Sequence, residues 1–287
     1  GPAPVALFFG QRGTHHGDDS TKDKNTGIRI PVMVSYKSPR ELSVMREAGR
    51  VVAITLERVA AAAEPGVTPA ELDAIAARCI KEHGARPSFL HYRPRFAPTP
   101  YPAVLCLSVN EVVVHGIPDG RRLRKGDLLS IDCGAEVGGY HGDAAITISI
   151  GPPDAGAARL MEATKRALER GIEAARPGAR IGDISHAVEQ VGREAGYGIL
   201  EGCGGHGIGT AMHEEPSVPN TGRPGRGLRL REGLTIAIEP MFHEGGDDHG
   251  YTLADGWSIV TSDGSRAAHV EHTVAITADG PVVLTVP

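Results

Sequence analysis

Four acidic residues sit on or at the ends of apolar stretches: Asp132, Asp143, Glu239 and Glu271, with His206 in a glycine-rich run, GGHGIGT. A carboxylate beside an apolar strand is costly to bury unless a cation or a hydrogen-bond network compensates it. Four such groups gathered in one apolar centre cannot all remain ionised without a partner. One divalent cation leaves the cluster net negative, whereas two balance the formal charge. The count therefore points to a dinuclear centre. Mostly oxygen donors with one imidazole suit Mn²⁺, Fe²⁺ or Co²⁺, and Zn²⁺ is compatible. Two such ions about 3.5–4 Å apart activate a water and clamp a tetrahedral intermediate, so the reaction class is hydrolysis.

Two of the acids close copies of one phrase. LRKGDLLSID (123–132) ends in Asp132 and LREGLTIAIE (230–239) ends in Glu239. The repetition extends further. LERVAAAAEPG (56–66) matches LERGIEAARPG (168–178), and Glu71-Leu72 faces Asp183-Ile184 at the same offset. Val114-His115-Gly116-Ile117 answers Gly205-His206-Gly207-Ile208, and the segment from His141 through Asp143 answers that from His269 through Glu271. Each half thus reads helix, Pro-Gly turn, helix, His-Gly-Ile segment, carboxylate strand and second carboxylate strand. Two units are too few for a solenoid and imply a duplicated half-domain folded about a pseudo-twofold axis, which would bring the twin acids together at the centre.

The elements that must position these residues follow from local signals. Ser38-Pro39-Arg40-Glu41 and Thr68-Pro69-Ala70-Glu71 are capping boxes with proline at the first helical position, opening helices to about Ala63 and Gly84. Helices are also expected over 154–175 and 181–195. Strands are expected over 103–114 (interrupted at Asn110-Glu111), 128–132, 144–150, 234–239, 257–261, 271–277 and 282–286. Helices and strands segregate within each half and the strands connect as hairpins. The expected class is α+β, a curved antiparallel sheet with helices on its outer face.

Composition sets the bounds. The chain has 287 residues, 40% of them hydrophobic, and a net charge of −5 without a basic run, so nucleic-acid binding is not favoured. Four scattered cysteines, with no CxxC pair, fit a reducing, cytoplasmic setting. No apolar run has the length of a membrane span. Residues 1–32 are polar and aperiodic and read as a disordered extension; the opening Gly-Pro reads as the remnant of a protease cleavage and Met33 as a native start. No linker divides residues 33–287, which are expected to form one domain. With no heptad or exposed apolar stripe, a monomer is expected.

Taken together, NEVVVHGIP (110–118), SIDCGAEVGGYHGDAAIT (130–147), GGHGIGTAMHEEP (204–216), AIEPM (237–241) and the EHT of 271–273 resemble the type I methionine aminopeptidases of the pita-bread fold, over about residues 36–286. Eleven positions separate Asp132 from Asp143 and 33 separate His206 from Glu239. The resemblance implies that Asp132, Asp143, His206, Glu239 and Glu271 bind two divalent metals, with Asp143 and Glu271 bridging. It implies that His115 and His213 contact the substrate around the scissile bond and that Glu239 helps to shuttle the proton. The substrates would be nascent polypeptide N-termini at the ribosome. A methionine pocket needs apolar walls with aromatic or soft groups, for which Phe89, Tyr92, Tyr101, Cys106, Phe242 and Trp257 are the candidates. The chain departs from the family in a longer loop at RPRFAPTP (93–100), in Val114 where some members carry Cys, and in His269 where others carry Gln. The gap from Glu239 to Glu271 leaves no room for the type II insertion. No N-terminal zinc-finger or SH3-ligand extension is expected. Two alternatives share the scaffold: an Xaa-Pro aminopeptidase or prolidase, which usually carries a larger N-terminal domain, and a non-catalytic binding protein, which should have lost ligands.

Overall fold

The computed structural model describes residues 34–94 and 97–287, together with the backbone of two short strands, β1 (Ser20–Lys22) and β2 (Arg29–Pro31), which pair antiparallel. The reading of residues 1–32 as disordered, and Met33 and Phe96 themselves, otherwise lie outside the described residues.

Both capping boxes form. In α1 (Pro39–Ala62) the amide of Glu41 donates to the Ser38 hydroxyl while the Ser38 amide donates to Glu41 Oε2 (2.7 Å); in α2 (Pro69–Glu82) Thr68 and Glu71 exchange the same pair of bonds. The chain then runs through β3 (Arg86–Pro87), β4 (Leu105–Val109) and β5 (Val112–Val114). The expected 103–114 strand is thus two strands in different sheets. Asn110, at φ +54°, turns the chain, and its side chain is fixed by the Leu128 amide and Asp127. The hairpin β6 (Leu128–Val137) and β7 (Tyr140–Ser149) turns at Gly138-Gly139, both at positive φ, and is longer than the apolar runs alone suggested.

The second half repeats the plan. Asp154 caps α3 (Ala155–Ala174), and the Asp183 carboxylate accepts the Arg180 amide (2.7 Å) at the start of α4 (Ile181–Glu194). Then follow β8 (Gly198–Ile199), β9 (Gly204–Gly207), β10 (Glu214–Pro219), β11 (Thr235–Ile238), β12 (Met241–His243), β13 (Gly250–Thr252), β14 (Ile259–Thr261), β15 (Ala267–His269), β16 (Glu271–Thr277) and β17 (Gly280–Val283). The last strand is earlier than expected. Beyond Val283 the chain crosses α1, where Arg46 donates to the carbonyls of Leu284 and Val286.

The main sheet is antiparallel and curled, ordered β10-β9-β11-β16-β7-β6-β3, with β4 also paired to β6 and β17 to β16. Its middle is a palindrome. In β11-β16-β7-β6, each strand on one side of the β16-β7 seam has its sequence twin at the mirrored place on the other. Register makes this sharper: His272 pairs with Ala144 at the seam, and the twins Asp143 and Glu271 lie one residue to either side of that pair. The seam is where the pseudo-twofold axis crosses the sheet.

Alternation along each strand separates two faces. Leu129, Ile131, Cys133 and Ala135 of β6 join Val52, Leu56, Leu72 and Ile80 of α1 and α2 in one core; Ile236, Ile238, Val274 and Ile276 join Leu160, Ile184 and Val188 of α3 and α4 in another. The intervening positions, Asp132, Asp143, Glu271 and their neighbours, face the concave side. The helices therefore cover the convex face, as expected. The three-stranded sheets β15-β12-β8 and β13-β14-β5 stand beside the main sheet and wall the hollow.

Candidate active site

The hollow encloses about 630 Å³, its open mouth included, and Asp132, Asp143, His206, Glu239 and Glu271 all line it. Asp132 comes from β6, Asp143 from β7, His206 from β9, Glu271 from β16, and Glu239 follows β11. Asp143, His206, Glu271 and Asp132 are at most 9% exposed. His206 Nε2 lies 3.7 Å from both Asp143 Oδ2 and Glu239 Oε1. Its Nδ1 is 2.8 Å from the carbonyl of Gly207, which can only accept, so Nδ1 carries a proton and Nε2 is the ring atom turned toward the carboxylates.

The carboxylates carry the same signature. Buried Asp132 Oδ1, Asp143 Oδ1 and Glu271 Oε1 have no hydrogen-bond partner among the described residues. Burial, reinforced by the neighbouring Asp143 charge, pushes Asp132 well above the usual carboxylate range; burial and Glu239 do the same to Asp143, and burial and Asp143 to Glu271. Orphaned buried acceptors, acids that resist ionising and an inward-facing imidazole nitrogen make a donor set that fits divalent cations. One ligating atom each from Asp143, His206 and Glu271 lies within 4.8 Å of the others, as do those of Glu239, His269 and Glu271.

Small residues allow this convergence. A Cβ at Gly205 would stand 2.0 Å from the carbonyl oxygen of Ala237, and one at Gly207 2.2 Å from that of Glu215, so glycine on both sides of His206 lets β9 lie against its neighbours. On β7 the Asp143 amide donates to Thr273 Oγ1 (3.0 Å), which donates back to the Asp143 carbonyl (2.8 Å), stitching the two halves at the seam.

His115 and His213 stand on the cavity wall. His213 packs at a tilt against His206 (ring centroids 4.2 Å apart) and Tyr92 (5.1 Å), and His115 lies edge-on to Trp257 at 6.4 Å. Burial holds both imidazoles neutral, His115 down at about 3 with His269 contributing, and His213 well below its ordinary value with His206 and His115 contributing. The segment bearing His213 is anchored by a buried ion pair, Lys37 Nζ to Glu214 Oε2 at 2.8 Å.

Of the expected pocket residues, Phe89, Tyr92, Tyr101, Cys106 and Trp257 line the cavity. Tyr101 is also a brace, its hydroxyl donating to the carbonyls of Leu105 and Gly116. The long 93–100 loop closes on a two-bond base, His91 N to Tyr101 O and Tyr101 N to Tyr92 O, which keeps the two tyrosines side by side whatever the loop length. Phe242 is a correction. It is fully buried in the helix-side core against Gly192 and Ile199, and Met241 lines the cavity instead. Alternation from Glu239 puts Met241, not Phe242, on the concave side. Cys203 and Val114 are further wall residues not singled out as candidates, and His269, noted earlier as a departure, reaches the carboxylates.

The chain belongs to the metallopeptidase family M24, whose family model matches residues 43–278. Within that family it falls among the methionine aminopeptidases. It is 44% identical to methionine aminopeptidase 1 of Bacillus subtilis, over 88% of this chain and 99% of that one, and 48% identical to methionine aminopeptidase 1 of Mycobacterium tuberculosis, over 88% and 95%. The crystal structure of methionine aminopeptidase from Thermotoga maritima superposes with a TM-score of 0.85 at 39% identity, covering 89% of this chain and all of that one. The fold is the pita-bread fold, and the family's chemistry uses divalent metal. No helix among the described residues is long and apolar enough to cross a membrane.

Proposed function

We propose that this chain removes the N-terminal methionine from polypeptides, those with a small second residue in particular, using water activated at a dinuclear centre held by Asp132, Asp143, His206, Glu239 and Glu271. The observation that carries the reading is the buried cluster of unpartnered carboxylate oxygens at the seam, on the floor of an apolar, aromatic-walled cavity. Two divalent ions, Co²⁺, Mn²⁺ or Fe²⁺ with Zn²⁺ compatible, would supply Lewis acidity and a nucleophilic water at neutral pH.

The residues divide the remaining work. Phe89, Tyr92, Cys106, Met241 and Trp257 offer the side-chain pocket, where polarizable sulfur and aromatic faces suit a thioether. The acidic floor receives the free α-amine, which restricts attack to the first peptide bond. His213, held neutral, donates a hydrogen bond to the carbonyl oxygen as negative charge grows on it, an effect of about 3 kcal/mol. His115, with Trp257 beside it, orients the scissile bond. Glu239 takes the proton of the attacking water at a carboxylate oxygen and returns it to the departing amine. Residues 33–287 act as one catalytic domain, monomeric and cytoplasmic, on nascent chains at the ribosome.

The test is release of methionine from Met-Ala-Ser, with and without chelator. Chelator-sensitive release, restored by divalent metal, is expected. Cleavage of Xaa-Pro peptides but not Met-Ala-Ser would assign a prolidase, and peptide binding without hydrolysis in any divalent metal would assign a binding protein.

A further inference from the structure

His269 ends β15, two residues before Glu271 and on the same face. It is 1% exposed. Its Nε2 lies 3.3 Å from Glu239 Oε2 and 3.8 Å from Glu271 Oε2, yet it makes no hydrogen bond to either. The other oxygen of the same carboxylate, Glu239 Oε1, faces His206 Nε2 at 3.7 Å. Glu239 is therefore flanked by two imidazoles, one per oxygen. Donors about 2.1 Å from a shared ion sit roughly 3.0–3.4 Å apart in octahedral or tetrahedral arrangements; the His269–Glu239 spacing falls in that range, the His269–Glu271 spacing is a few tenths of an ångström wider, and one ligating atom each of Glu239, His269 and Glu271 lies within 4.8 Å of the others. Three buried donor groups this close, with no hydrogen bond from the His269 ring nitrogen to either carboxylate, are arranged to share one cation.

Building on the metal-centre reading above, we propose that His269 is a sixth protein ligand, a second imidazole donor to divalent metal at the Glu239–Glu271 end of the cluster. Two imidazoles move an oxygen-rich site toward Co²⁺, Fe²⁺ and Zn²⁺ and away from Mn²⁺, since nitrogen donors favour those borderline ions over the harder one.

The test uses the full chain and its variants His269→Gln, His269→Ala and His206→Ala, with retained fold checked by circular dichroism. Calorimetric titration gives Co²⁺ and Mn²⁺ affinities, and X-ray absorption of the Co²⁺-loaded protein counts bound imidazoles from their outer-shell scattering. The expected result is that the imidazole count falls by half in each histidine variant. His269→Gln should weaken Co²⁺ binding about tenfold or more, the scale of a disturbed metal site, with a smaller loss for Mn²⁺. An unchanged imidazole count in both His269 variants, alongside a lowered count in His206→Ala, overturns the proposal while leaving the metal centre intact. A count of zero in the unmutated protein, or no binding of either metal, overturns both. Weaker Co²⁺ binding with an unchanged count also overturns it, making His269 a positioning residue for Glu239.

Discussion

The two halves of the molecule contribute alike in carboxylates and unlike in imidazoles. Asp132 and Asp143 come from the first half, Glu239 and Glu271 from the second, each pair on twin strands at mirrored places in the sheet. The histidines broke that symmetry. His115 and His206 are twins, yet His206 lies against Asp143 and Glu239 while His115 faces Trp257 on the wall. His141 and His269 are twins, yet His269 reaches Glu239 and Glu271 while the Nδ1 of His141 pairs with Ser88 Oγ at 2.8 Å. Symmetric acids build a centre, and one-sided nitrogen gives it direction. A duplicated site with identical halves could not tell an amine from a carbonyl; this one has a nitrogen-rich flank and an aromatic flank.

The sharpest way to break the comparison is to neutralise one acid of a twin pair. Asp132→Asn and Glu239→Gln should each lower Met-Ala-Ser hydrolysis by roughly 10³-fold or more with the fold retained, because the proposed centre draws ligands from both halves. Wild-type-like turnover in either, measured beside circular dichroism, would refute the shared centre. His213→Ala comes next: kcat should fall about 10²-fold with metal affinity unchanged, as for a lost oxyanion donor. Metal loss as the main effect in calorimetry would move His213 into the ligand set.

Packing sharpens the same contrast. In the first half α1 meets β7 through Gly49 and Gly142, and a Cβ at Gly142 would stand 2.8 Å from the Gly49 amide nitrogen; the twin positions in the second half are Met161 and Val270. Gly142→Ala should therefore cost about 1–3 kcal/mol in chemical denaturation, and unaltered stability would show that α1 can move away freely.

The smallest effect concerns the helix caps. The Ser38 hydroxyl, then Tyr140, hold Glu41 down at about 2. Its stabilising share is complete above its unfolded value near 4.5 and fades as pH falls toward 2. The Tm gap between the protein and Glu41→Gln should be small, widest above pH 4.5, and should close on acidification. A gap that widened with acid would show that the cap does not depend on the charge.

Much of this was legible in the chain because carboxylates on apolar strands are conspicuous and the duplication located them twice. The capping boxes placed α1 and α2 for the same reason: the signal is local. What escaped was phase. Met241 and His269 each sit two residues from a recognised acid, and strand alternation starting at Glu239 and Glu271 would have put both on the concave side. Phe242, though aromatic, is on the opposite face of the strand, in the helix-side core. Cys203 had no such signal, since it enters the wall from a turn ahead of β9 whose path depends on tertiary packing.

The paired bonds between Asp143 and Thr273 carry one more consequence. They join the halves at the very strands that bear Asp143 and Glu271, so a clamshell motion, with one half swinging from the other, would tear the floor before it widened the entrance. Guests must come and go past a fixed floor, and any adjustment to cargo of different size falls to the rim.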